Sequence, residues 1–320
     1  MDPVELREML FGTREPFSYL HCRTCGLLQI REIPADLGQY YPAAYYQAGG
    51  EIEPDRVLGP LRRAADRSQN ANVLFGSDGL MTRALERFRP RILPEVGADA
   101  PFIKRAGLRR FDDPILDVGA GRVPSRLARL RRIGFTNLTG IDPWLTGDAF
   151  LPHIRLLQRE IHEVKGSFKL VMFHHAFEHV PDPESVLLAA SRLLRPDGTI
   201  LIRTPVMESW FWREYGRDWW ELDPPRHLVL QSVRSLGILA SRVGLEIAHL
   251  DFDSTFVEIL ASEQIRRDVA WREPGSWFVD PPAGFTPAAI DEAKAVVGRL
   301  NREGEAGRAA FYLRPVGRPS

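Results

Sequence analysis

The stretch DVGAGRVPS, Asp117–Ser125, follows a short apolar run and precedes the Arg-rich helical pattern SRLARLRRIGF. Two glycines at a strand's end lack the β-carbon that would keep a ligand off the backbone, and they tolerate unusual turn dihedrals. Asp117, two residues before Gly119, is the discriminating residue: a carboxylate there would repel a pyrophosphate, and Pro124 stands where a dinucleotide motif wants a later glycine. A cationic cofactor suits the position better. Asp142 ends the next apolar segment, NLTGIDP, 21 positions after Gly121. That is close to the interval of about 20 at which an acidic side chain grips a ribose diol.

Outward from this stretch, strand and helix signals alternate. PILDVG reads as a strand, SRLARLRRIGF as a helix with Leu127, Leu130 and Ile133 on one face, and NLTGID and KLVMFHH as further strands. VPDPESVLLAASRLLRPDG reads as a helix capped by Asp182, with Pro183 at its first position and a Pro-Asp-Gly stop, before the strand TILIRTPV. The tail adds the helix VRSLGILASRVGL, a strand at LEIAHLDF, a Pro- and Gly-rich connection 272–287, a helix around AIDEAKAVVGRLN and a last strand AAFYLRP. Such alternation implies a mainly parallel sheet covered on both faces, with its ligand beyond the carboxyl ends of the strands where their order reverses.

The acidic-x-Gly-x-Gly pattern DVGAG, the acid in GID, the segment FHHAFEHVPDP and the run RLLRPDGTILIRTP together resemble a class I S-adenosylmethionine (SAM)-dependent methyltransferase, with further likeness in LDPPRHLVLQS. The resemblance implies an α/β, Rossmann-like, doubly wound, mainly parallel seven-stranded sheet with an antiparallel closing hairpin. The expected organisation is a small Cys-x-x-C module over 1–50, linking helices over 51–105 and the methyltransferase domain over 106–320, with an aromatic lid segment at 207–230. For the cofactor, the resemblance implies Asp117, Gly119, Ala120, Gly121, Asp142, Pro143, Glu160, Ile161 and His174. Val123 occupies a position where the family often carries a third glycine, which implies a narrower pocket at the methionine end.

His174, His175 and His179 surround the end of the fourth strand, where the family's acceptor meets the methyl group; an imidazole titrating near neutrality can accept a proton there. Alignment alone supplies much of the rate of a one-step displacement, so a base is optional. His175 is expected to line the site. His227, on the stiff loop Pro224-Pro225-Arg226, is the preferred general base, with His175 as the second catalytic candidate. WFWREYGRDWW packs five tryptophans and tyrosines and reads either as an acceptor-pocket wall or as a buried aromatic cluster.

Cys22 and Cys25 have the spacing of half a zinc ribbon, in which four thiolates close a tetrahedral site. His21 can offer a third ligand; the alternative is two ordinary thiols in a hairpin, so Zn2+ is carried as a cofactor candidate. Lys and Arg number 42 and so do Asp and Glu, a balance that argues against nucleic acid as a partner. The Arg126, Arg129, Arg131 and Arg132 run then reads as a solvated helix face. No apolar run approaches a membrane span, and two cysteines fit a reducing compartment, so a cytoplasmic enzyme with a small-molecule methyl acceptor, a sugar or secondary metabolite, is expected. Two rivals remain: a SAM-binding scaffold without turnover, kept open by Val123, and an NAD-dependent oxidoreductase, opposed by Asp117.

Overall fold

In the computed structural model, residues 1–42, 60–76 and 94–317 are described. The β-branched and apolar runs around the glycine stretch form β4 (Ile115–Val118), β5 (Leu138–Ile141) and β8 (Phe168–His174), all but continuous in buried residues, as strands covered on both faces must be. β4 lies between β5 and β8 and pairs parallel with each, so Ile115 faces Leu138 on one side and Leu170 on the other. The remaining strands of this sheet are β6 (Ala149–Leu151), β7 (Ile154–Leu157), β9 (Leu194–Pro205), β11 (Leu245–Phe252) and β12 (Arg308–Pro315). Their order is β11-β12-β9-β8-β4-β5-β7-β6. This is a mostly parallel, Rossmann-like α/β sheet, with one more strand than the seven expected: three-residue β6 turns back antiparallel on β7 at the edge. Strand order reverses at the carboxyl end of β4, where the glycine stretch begins.

Two compact units share the chain. One comprises Met1–Pro42, His175–Ser185 and Ile202–Phe311; the other comprises Ala43–His174, Val186–Leu201 and Tyr312–Ser320. In the second, the helices α1 (Pro60–Phe75), α2 (Pro94–Arg105) and α3 (Ser125–Ile133) accompany the parallel strands. α3 starts directly after Pro124 and buries Leu127, Leu130 and Ile133, the face its spacing predicts. The Asn70 amide donates to the Ile133 carbonyl at 2.8 Å and so satisfies an end group of α3, while Phe75, Phe111 and Phe135 meet edge to face. Of the linking helices expected over 51–105, residues 51–59 and 77–93 lie outside the described residues. The arginine face of α3 differs from expectation: Arg126 and Arg129 turn to Asp99 of α2, a buried carboxylate that needs cations.

The other unit contains an antiparallel sheet of order β1-β2-β3-β10, formed by Asp2–Arg7, Pro16–His21, Leu28–Ile30 and Val229–Leu230. Residues 1–42 thus share a core with residues from 202 onward: Leu6, Tyr19 and Leu28 pack with Phe211, Trp219, Leu230 and Leu300. The aromatic segment supplies much of that core, with Phe211 and Trp219 fully buried on and after α5 (Trp210–Tyr215). α4 (Pro183–Arg192) ends before the predicted stop, and Pro196-Asp197-Gly198 lies inside β9, where the amide of Phe168 bonds the Leu193 carbonyl at the entry. The tail carries α6 (Val233–Arg242), α7 (Phe256–Arg266) and α8 (Pro287–Glu303); α7, whose start is fixed by a Thr255–Glu258 capping box, is the one the tail reading omits.

Gly140, inside β5, holds strand and glycine loop together. A β-carbon there would stand 2.8 Å from the Ala120 and Leu156 side chains and 2.9 Å from Leu127. Gly140→Ala is therefore expected to cost about 1–3 kcal/mol by overpacking, read as a fall of several degrees in Tm, and an unchanged melt would show that the neighbours yield freely.

Candidate active site

At the end of β4 the chain turns through Gly119 at φ +75° and Gly121 at φ +69°, the left-handed region in which a side chain is strained. The amides of Gly119 and Ala120 both donate to the Ile141 carbonyl, at 2.9 and 3.1 Å, which ties the loop to the end of β5. Gly121 donates its N–H to Asp142 Oδ2 at 3.0 Å, while Asp142 Oδ1 accepts from the Trp144 amide at 2.8 Å. The spacing read from the sequence thus becomes a direct bond between the second glycine and the acid. Around the position a Gly121 β-carbon would take, no other atom comes within 4 Å. The loop presents bare backbone to open space.

Asp117 lies below this loop, 3% exposed, and its Oδ1 has no hydrogen-bond partner. Burial pushes its carboxyl up to about 7; the nearby Arg126 opposes the shift and Asp142 reinforces it. A buried acid with an orphaned oxygen is costly unless a donor or cation reaches it. Of the other residues expected here, His174 ends β8 with Nδ1 at 3.4 Å from Arg126 Nη2. Pro143 is exposed, Glu160 caps the 3-10 turn Ile161–Glu163, and Ile161 is buried. All of these belong to one unit.

The histidines expected to act on the acceptor fall, from His175 onward, in the other unit. His175 stands at φ +49°; its Nδ1 is 3.3 Å from Glu178 Oε1 and its Nε2 faces the guanidinium of Arg203. Glu178 is fully buried on the 3-10 turn Phe177–His179, and its Oε2 accepts from Thr204 Oγ1 at 2.9 Å. Burial alone would raise it, yet the His175 contact and the His227 and His179 rings hold it well below the usual carboxylate range. His227 is buried, with Nδ1 2.8 Å from the Glu221 carbonyl and Nε2 4.0 Å from both Glu178 Oε1 and Asp223 Oδ2. Burial, then the neighbouring His179, push its pKa down to about 4, so it is neutral at ordinary pH. The His179 and His227 rings meet edge to face at 4.8 Å.

Arg226, which the sequence offered only as a neighbour of His227, is the fixed point of this loop. Its guanidinium is wholly buried, bidentate on Asp223 at 2.6 and 2.9 Å and bonded to Glu8 at 2.7 Å. Burial alone would lower its pKa, but Asp223 and Glu8 raise it above the ordinary value and keep it charged. Its carbonyl receives His179 Nδ1 at 2.9 Å, and Tyr19 Oη donates to the next carbonyl, that of His227, at 2.8 Å.

Cys22 and Cys25 flank the turn between β2 and β3, where Gly26 N–H donates to the Cys22 carbonyl at 2.7 Å. His21 is drawn away by Glu208, 3.0 Å from its Nε2. Among the described residues no third ligand joins the two thiols; the only group of three metal-ligating side chains is Glu178, His179 and His227. The cysteine pair as it stands does not fit a four-ligand zinc site.

The sheet order, the glycine loop and the acid after β5 are the arrangement that the resemblance to class I methyltransferases implies. A methyltransferase-domain family model matches residues 78–250, more than half of the sequence, and the chain belongs to that family. Over 116 residues it is 34% identical to the ubiquinone biosynthesis O-methyltransferases of Pseudomonas aeruginosa and Pseudomonas paraeruginosa, a match covering 32% of this chain and 47% of each relative. The chain thus spans about half the length of the curated relatives it matches. Among solved structures, geranyl diphosphate C-methyltransferase from Streptomyces coelicolor aligns with TM-score 0.44 at 17% identity, covering 69% of this chain and 79% of that one. Coclaurine N-methyltransferase aligns with TM-score 0.42 at 11% identity, covering 87% and 94%.

Two expectations follow from the buried charges. Because folding raises the Asp117 pKa above its unfolded value, its stabilising contribution is full below about pH 4 and is lost as pH rises to about 7, on the order of 4 kcal/mol in all. Thermal melts of Asp117→Asn and the wild-type protein should therefore diverge in favour of Asn across that window and run parallel above it; a pH-independent gap would refute the assignment. Arg226→Met leaves Glu8 and Asp223 as buried carboxylates without their cation and should cost about 3–5 kcal/mol in urea unfolding. A loss below about 1 kcal/mol would mean water reaches the triad.

Proposed function

We propose that this chain transfers a methyl group from SAM to an oxygen of a small-molecule acceptor, with the cofactor held by Asp117, the Gly119-Ala120-Gly121 loop and Asp142. The observation that carries the reading is the buried Asp117 carboxylate with an unpartnered oxygen beneath a loop of bare backbone. Such an acid suits a cationic ligand and repels a pyrophosphate, which favours SAM over a nicotinamide dinucleotide.

When bound, SAM supplies an electrophilic methyl group on a sulfonium, so methyl transfer is a single displacement. The part of the chain is then to orient. Gly119 and Gly121 let the ligand lie against the backbone, and the Asp142 carboxylate, already fixed by the Gly121 and Trp144 amides, is placed to accept hydroxyl hydrogens of a ribose. Glu160, Ile161, Pro143 and His174 stand as flanking residues of the same pocket. Neither His227 nor His175 is given a proton-transfer role in this reading: the lone pair of His227 faces Glu178 and Asp223, and His175 is engaged by Arg203 and Glu178. The likeness to ubiquinone biosynthesis O-methyltransferases supports oxygen as the acceptor atom.

Calorimetric titration tests the cofactor. SAM and its demethylated product should bind at micromolar concentration, roughly 8 kcal/mol, with no heat from NAD. Asp142→Ala should weaken binding about 10- to 100-fold, the scale of losing hydrogen bonds to a charged group. Heat from NAD alone would overturn the reading. SAM binding without turnover on any hydroxylated acceptor would favour a scaffold.

A further inference from the structure

The group of buried Glu178 and His227 with half-buried His179 is used by no step above, and its hydrogen bonding is that of a ligand set. His227 Nδ1 lies 2.8 Å from the Glu221 carbonyl and His179 Nδ1 lies 2.9 Å from the Arg226 carbonyl. A carbonyl only accepts, so each Nδ1 carries a proton, with Tyr41 Oη also 3.1 Å from that of His179, and in the neutral ring each Nε2 keeps its lone pair. That is the tautomer a metal requires, oriented by the backbone bond that metal-ligating histidines usually make through their other nitrogen. Glu178 Oε1 is buried and faces His175 Nδ1 at 3.3 Å without hydrogen-bond geometry, whereas Oε2 of the same carboxylate is satisfied by Thr204. It stands 4.0 Å from His227 Nε2, and one ligand atom from each of the three residues lies within 4.8 Å of the others.

We propose that Glu178, His179 and His227 bind one divalent first-row transition ion of the zinc class, through Glu178 Oε1 and the two imidazole Nε2 atoms. Two imidazoles and one carboxylate suit such ions rather than calcium or magnesium, which prefer all-oxygen sets. Ligand atoms around a tetrahedral zinc stand roughly 3.4 Å apart, so the 4.0 Å between Glu178 Oε1 and His227 Nε2 needs to close by about 0.6 Å, within reach of a small ring tilt. Asp223, although 4.0 Å from His227 Nε2, is not a fourth ligand, since both of its oxygens are held by Arg226. Three protein ligands leave one coordination position for an oxygen from outside the chain, the pattern of reactive rather than structural sites. This ion site is distinct from the cysteine pair and makes no use of it.

The test is metal content. The full chain is stripped with chelator, dialysed against Zn2+ or Co2+ alone, desalted and measured by elemental analysis, with the Co2+ absorption spectrum recorded. One ion per chain is expected, with visible Co2+ bands but no thiolate charge-transfer band, and retained in full by Cys22→Ser/Cys25→Ser. His179→Gln, His227→Gln and Glu178→Gln should each lower the content toward zero, while His249→Gln, on a surface strand, should leave it unchanged. His179→Gln is the deciding variant because its side chain is only half-buried; circular dichroism confirms that it folds. A chain that retains no ion, or loses it only with the cysteines, overturns the proposal.

Discussion

A guanidinium that water does not reach holds together the part of the molecule that carries the histidines. Arg226 cannot shed its proton, so its burial is tolerated only because Asp223 takes it in a two-pronged bond and Glu8 takes the remaining face. Glu8 is itself held, accepting from the amides of Leu10, Phe11 and Thr13. The end of β1 is thereby tied to the loop 223–228. With Arg226 fixed, its carbonyl orients His179 and the loop turns His227 to Glu221. Charge pairing of this kind adds little net stability compared with apolar packing, but it permits few alternative arrangements of the loop.

The other unit depends on backbone rather than charge. Two left-handed glycines, a carbonyl that accepts two loop amides and a third glycine that admits Ala120 against β5 fix the loop after β4. Asp142 then serves the loop and remains at its edge. Within this tight frame Asp117 is the exception: a buried oxygen left without a partner, held there by the strand that carries it. Unspent polar groups in otherwise satisfied surroundings mark where a ligand completes the structure.

Much of this was legible beforehand where local chemistry and position coincide. The glycines, Asp117 and Asp142 could be read because a turn that needs positive φ admits few residues and because the strand–helix alternation has a fixed period. Helix α3 followed from its leucine spacing. β1 is not legible in the sequence because only Val4 and Leu6 mark its inner face, too short an alternation to stand alone; pairing with β2 turns both to the core. The partner of the arginine face of α3 is not legible in the sequence because Asp99 lies 30 positions from Arg129. Pro196-Asp197-Gly198 has the local propensity of a helix stop, which pairing within β9 overrides.

The sequence alone determined the parallel α/β class, the glycine loop and the acid that meets it, since each follows from short-range constraints on backbone and spacing. Only the tertiary structure decided which charges are buried together. Arg226 and Glu8 stand 218 positions apart, and His227 is separated from Glu178 by the whole of β9 and the aromatic segment. No local pattern encodes such pairs. They exist because a folded core excludes water and obliges every buried donor, acceptor and charge to find its partner wherever the chain brings one.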